Sequence, residues 1–152
     1  MSPVSRFLNH WRDRRGSAAI EFGIIAPVLM LLLVGMIELG FAVHQSMQVQ
    51  DAAEAGALYA GKYGWDPAGI SAAVVNATGA DTITASPAPV LFCGCPSASG
   101  IAEIACDATC PAGGAAEKYV RVSASIPHSA ILTSLGLPIP ETLTGHAVVR
   151  VQ

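Results

Sequence analysis

The polar and apolar positions divide the chain into three regimes. Residues 22 to 37 carry no charged side chain, and the apolar run extends from Ala18 to Val43 with Glu21 and Glu38 near its ends. As a helix rising about 1.5 Å per residue, the uncharged part spans about 24 Å and the extended part about 39 Å, against a hydrocarbon core of about 30 Å. The first regime is thus long enough to cross a bilayer. From His44 to Lys62 the chain keeps strong helix formers but turns Ala-rich, with Met47, Val49, Leu58 and Tyr59 as its bulky apolar residues. Continuous from Ser17, such a helix is about 65 to 70 Å long and ends at Gly61 and Gly64.

The second regime is short. Asp66-Pro67 reads as an N-cap followed by proline at the first helical position, and Ile70, Ala73, Val74 and Ala77 share one face before Gly79. A second helix over 67–78 is expected. From Asp81 the signals become β, in Thr82-Ile83-Thr84, Pro89 to Phe92, Lys118 to Ile126 and Thr144 to Val151. Tyr119, Arg121, Ser123 and Ser125 alternate with Val120, Val122, Ala124 and Ile126, the period of a half-buried strand, with Tyr119 on the polar side. Pro127 to Thr142, with three prolines and the apolar cluster Ile131, Leu132, Leu135, Leu137 and Ile139, reads as a long connection. The expected fold class is α+β: a long N-terminal helix, a short second helix, and a small antiparallel sheet against the outer half of the long helix.

Composition fits one membrane helix plus one small domain, with 52% hydrophobic and 12% charged residues. Arg6, Arg12, Arg14 and Arg15, four of the eight Lys and Arg residues, precede the apolar run, which by the positive-inside bias holds the N-terminus in the cytoplasm. The rest of the chain is then exported. Hydropathy alone suits a plain anchor, but it leaves Glu21 unexplained, because an ionisable residue inside a membrane segment is costly and a functional candidate. A cleaved secretory signal fits less well: its core is about 7 to 15 residues, whereas here the run is longer and Glu38 stands just before the small-x-small triplet Gly40-Phe41-Ala42.

The run Arg14-Arg15-Gly16-Ser17-Ala18-Ala19-Ile20-Glu21-Phe22 resembles a type IV prepilin processing site, a Gly after basic residues with Glu fifth in the mature chain. Three further stretches, Gly23 to Leu29 with its early Pro27, Gly35 to Gly40, and Gln50 to Ala60, are similar to the TadE-like pseudopilins of the tight-adherence (Tad/Flp) pilus system. The similarity covers residues 14 to about 61 and returns weakly in the C-terminal strands. Two positions depart from the pattern: Ser17 stands where classical pilins favour a methylated Phe, and Phe22 where this branch often has Tyr.

The resemblance implies cleavage after Gly16 by a prepilin peptidase, with Ser17 as the new N-terminus and Glu21 guiding assembly by pairing with a freed amine, its own or a neighbour's. Its domains are a leader, 1–16, a transmembrane helix, 17–43, and an exported pilin-like domain, 44–152, with a cysteine-bearing loop, 93–110. Its partners are the prepilin peptidase, other Tad/Flp pilins and pseudopilins, the Tad assembly platform of the inner membrane, and the bilayer. The location implied is the bacterial cytoplasmic membrane, with the C-terminal domain periplasmic or extracellular. Glu38 near the far end of the span reads either as a solvated boundary charge or as a contact to a pilin partner.

Removal of residues 1–16 takes four of the eight cations and one of the eleven acids, leaving four against ten. No basic patch then remains to neutralise phosphates, which argues against nucleic acid as a partner. Cys93, Cys95, Cys106 and Cys110 face an oxidising compartment in this topology, where disulfides are expected. The nested pairing, 93 with 110 and 95 with 106, suits a loop returning antiparallel; the crossed pairing stays open; pairing 93 with 95 is strained. A four-thiolate zinc site is the rival, against which stand the C-x-C and C-x3-C spacings.

Catalytic signals are thin. His10, His44, His128 and His146 have no neighbouring nucleophile or metal-ligand spacing, Gly61-Lys62 lacks the spacing of a phosphate loop, and Asn76-Ala77-Thr78 reads as a chance glycosylation triplet. No catalytic residue, metal or cofactor is assigned, and the expectation is a non-enzymatic pseudopilin of a Tad/Flp pilus used in adherence. A single-pass anchored binding domain unrelated to pili is the alternative.

Overall fold

The computed structural model describes residues 17–98, 100–128 and 140–152. The leader with Gly16, and the apolar cluster from Ile131 to Ile139, lie outside the described residues. The elements are helix α1 (Ser17–Tyr63), helix α2 (Pro67–Asn76), and strands β1 (Val90–Ser97), β2 (Gly100–Glu103), β3 (Glu117–Pro127) and β4 (Thr142–Arg150). The class is α+β, as the pattern predicts. The chain divides into two units, residues 1–39 and 40–152.

In the first unit the described part is the apolar stretch of α1. Ile20, Phe22, Ile24, Val28, Met30 and Leu33 are all more than half exposed, though they point in every direction around the helix. A helix that is apolar on all sides and covers none of them in its own fold suits lipid rather than a protein core. Pro27 lies inside α1 without ending it; its missing N–H loosens one turn but does not stop the helix.

The second unit is built where α1 becomes Ala-rich. Val49, Ala52, Ala53, Ala57 and Ala60 recur at helical spacing and are buried, with Val120, Val122, Ala124 and Ile126 of β3, Ile70 and Val74 of α2, and Ile83 completing the core. Small side chains let the sheet come close. A Cβ at Gly145 of β4 would stand 2.6 Å from the backbone oxygen of Val49, and one at Gly56 would stand 2.6 Å from Val74 and 2.8 Å from Val122. The alanines of 50–60 are therefore a packing surface, and bulky residues there would hold the sheet away.

Gly64 ends α1. Its φ of +80° lies in the left-handed region, and its N–H donates to Ala60 at 2.9 Å, the usual way for glycine to close a helix. Gly61, expected to share this role, lies inside the helix. Asp66 caps α2 by accepting from the Gly69 N–H at 3.1 Å, and its other oxygen accepts from the Tyr59 hydroxyl at 3.2 Å, which ties the cap to α1.

The sheet is antiparallel in the order β2-β1-β3-β4. Strands expected at 118–126 and 144–151 are present as β3 and β4. The segment 82–84 is not a strand: Thr84 alone pairs, in a bridge with Ser125. The loop expected over 93–110 is partly sheet, because β1 runs on through Cys93 and Cys95 to Ser97 and β2 returns beside it.

Candidate assembly helix and disulfide-stapled loop

The residues singled out in the sequence fall into two places, one in each unit. Ser17 is the first residue of α1, and Glu21 lies one turn in, flanked by the exposed Ile20 and Phe22. Among the described residues α1 is the one helix long and apolar enough to cross a membrane, which makes it a candidate membrane anchor. Glu38 is buried, at 9% exposure. A solvated boundary carboxylate does not describe it.

The second place is the far end of β1. Cys93 and Cys95 are two residues apart in a strand, so both side chains leave the same face. The bridges join Cys93 to Cys106 and Cys95 to Cys110, with Cα separations of 5.0 and 5.6 Å. Among the described residues no cysteine is free. The pairing is crossed, and the nested arrangement suited to an antiparallel loop is not formed.

The reason lies in the unexpected strand. β2 has already made the antiparallel return, pairing Glu103 with Gly94, and the Ile104 N–H donates to the Cys93 carbonyl at 2.9 Å. The chain turns at Ala105–Ala108, where the Ala108 N–H reaches the Ala105 carbonyl at 3.0 Å. After that second reversal it runs in the same direction as β1. Cys106 therefore meets Cys93 first and Cys110 meets Cys95 next. A tight hairpin follows, with Thr109 bridged to Ala115 and Gly113 and Gly114 at φ +87° and +94°, and leads into β3. Those two glycines take a backbone conformation that side chains resist.

The other face of this sheet carries an aromatic pair under charged side chains. Phe92 and Tyr119 are cross-strand partners, stacked at 5.8 Å and both buried. The Arg121 guanidinium lies 4.6 Å over the Phe92 ring and pairs with Glu103 at 3.2 Å. Glu117 accepts from the Tyr119 hydroxyl at 3.2 Å and pairs with Arg150 at 3.1 Å. Burial pushes the Tyr119 phenol above its ordinary value, the hydrogen bond to Glu117 and that carboxylate's charge raise it further, and Arg150 opposes them. Tyr119 was on the polar side of the alternation, and here it is buried by neighbours on β1 and by charged stems.

Sequence reasoning missed several polar partners. Ser123 Oγ lies 3.1 Å from His146 Nδ1 across the β3–β4 register, and the His128 ring is hydrogen-bonded to Gln45. Gln50 takes both edge groups of His146, donating to its carbonyl at 3.2 Å and accepting from its N–H at 3.3 Å. This caps the open edge of β4 as a neighbouring strand would. Each pairing depends on a strand register or a helix-to-strand approach, which no local spacing encodes. Among the described residues no group of three or more His, Cys, Asp or Glu is placed to hold a metal ion.

Residues 16–58 match the family model described as TadE-like protein, and no curated protein and no solved structure matches the chain. The matched segment runs from the glycine before α1, through Glu21 and the apolar stretch, to the Ala-rich packing surface; it stops short of the sheet. Over that segment the chain is similar to TadE-like proteins, which suggests a protein associated with components of the Tad pilus.

Proposed function

We propose that the protein is a pseudopilin, or minor pilin, that takes part in assembling a Tad/Flp pilus used in adherence, and that its role is structural rather than catalytic. The observation that carries this reading is the family match over residues 16–58, whose head holds Gly16, Ser17 and Glu21 at the start of an all-round apolar helix. In the proposed mechanism, prepilin peptidase cuts after Gly16, and the helix of 17–43 keeps the protein in the cytoplasmic membrane with residues 44–152 outside. Helix-to-helix contacts then bring it to other pilins, pseudopilins and the assembly platform. Glu21 acts by pairing with an N-terminal amine, which neutralises two charges that are expensive in lipid.

Deletion of the gene, with complementation by wild type or Glu21→Ala, tests this. Deletion should abolish surface Tad filaments; wild type should restore them; Glu21→Ala should accumulate in the membrane without restoring them. Filaments unchanged by the deletion would overturn the proposal and favour an anchored binding domain.

A further inference from the structure

The two disulfides stand in different surroundings although they are neighbours. Cys95 and Cys110 are both buried, at 2% and 8% exposure, so the second bridge is shielded at each end. The first bridge has one buried end, Cys93 at 4%, and one exposed end, Cys106, which lies in the turn between Ala105 and Ala108. We propose that Cys106 is a thiol-exchange site, at which an external thiolate opens the Cys93–Cys106 bridge while the Cys95–Cys110 bridge keeps the fold closed. The proposal does not depend on the pilus reading.

Exchange proceeds by attack of a thiolate on one sulfur, roughly in line with the bond that breaks. Cys106 is exposed, so a thiolate from outside the protein can reach it. Attack at Cys93 would have to come through the strand in which it is buried. The thiolate sulfur therefore bonds to Sγ of Cys106, the Cys93–Cys106 bond breaks, and its electron pair leaves with Sγ of Cys93, which takes up a proton. Disulfide and thiol counts are conserved, and the reductant is the incoming thiol. A second thiolate, from the same dithiol or another molecule, releases Cys106 as a thiol.

The fold tolerates this step. The β1–β2 pairing of residues 94–97 with 100–103 and the contact from Ile104 to Cys93 do not use the first bridge. The hairpin from Ala108 to Ala116 is held by its own hydrogen bonds and by the second bridge. Opening the first bridge frees the turn at 105–107 and little else. Cys106 is thus a point at which a thiol-bearing partner, small or protein, can be joined without unfolding the domain.

The test uses the full chain in detergent micelles under native conditions. In separate arms it is given reduced glutathione or a reduced oxidoreductase with a C-x-x-C dithiol, quenched with N-ethylmaleimide, and mapped by fragment mass spectrometry. The expected result is glutathione on Cys106 and maleimide on Cys93, with the Cys95–Cys110 bridge converted on the order of tenfold more slowly. Reaction with glutathione identifies a small thiol as sufficient; reaction confined to the dithiol arm identifies a protein source. Adducts on Cys93, equal conversion of both bridges, or reaction in neither arm until the protein is unfolded by urea would each overturn the proposal.

Discussion

Replacing the cysteines in pairs separates the two possible bridgings by stability and by thiol count together. The bridges close segments of 13 and 15 residues, and the loss of closure entropy in the unfolded chain corresponds to about 3 kcal/mol for each. Cys93→Ala with Cys106→Ala should lose about that amount. Cys95→Ala with Cys110→Ala should lose roughly 1 kcal/mol more, because both side chains are buried and their truncation leaves unfilled space. At ordinary urea dependence of about 1–3 kcal/mol per molar, 3 kcal/mol lowers the unfolding midpoint by roughly 1–3 M. The assay is urea unfolding of the detergent-solubilised chain followed by Tyr and Trp fluorescence, alongside maleimide labelling of the folded protein. Both variants should show no reactive thiol, since each keeps one intact bridge. Cys93→Ala with Cys110→Ala leaves Cys95 and Cys106 without their partners, so it should show two thiols and lose both closures. If that variant instead labelled nowhere and kept the higher midpoint, the crossed pairing and the double reversal that explains it would be refuted.

Two further perturbations probe the packing of the second unit. Gly145→Ala places a Cβ against the α1 backbone at Val49 and Gln50, atoms that cannot swing aside, so it should cost about 1–3 kcal/mol or more. Gly35→Ala, where a Cβ meets nothing within 4 Å, should leave the thermal midpoint almost unmoved; equal midpoints for the two variants would contradict the close approach of β4 to α1. Tyr119 gives a pH dependence. Its phenol titrates higher in the folded protein than in the unfolded chain, mainly through burial, so its contribution is complete below the ordinary tyrosine value near 10 and is lost as pH rises through the folded value. Stability measured by urea unfolding should fall above pH 10, and Tyr119→Phe should flatten that limb; an unchanged slope in the variant would rule out Tyr119 as its cause.

What could be read from the sequence followed from local periodicity. The α1 stretch is apolar at every position from Phe22 to Ile37, which no other element tolerates, and the β3 alternation from Val120 to Ile126 names its buried face directly. The cap at Asp66-Pro67 was equally local. The misses have a different origin. β2 is four residues long, begins at Gly100, and reads as loop by composition; only its pairing to β1 makes it a strand. That omission carried over to the cysteines, since the direction of the 106–110 segment depends on how many reversals precede it. Tyr119 looked exposed because alternation assigns a face but not what covers it, and here Phe92, which stacks on it, comes from 27 residues away in the chain. The Gln50 clamp on His146 spans a separation of 96 residues, beyond any local pattern.

The mature N-terminus tests the central claim most directly. Intact mass and N-terminal peptide analysis of membrane protein, from cells with and without prepilin peptidase, should show a chain beginning at Ser17 where the peptidase is present. Without it, or with Gly16→Ala, the chain should keep its leader. A full-length chain in every case would contradict the pseudopilin account and leave an anchored domain, and a chain beginning after Ala42 would mean a secreted one.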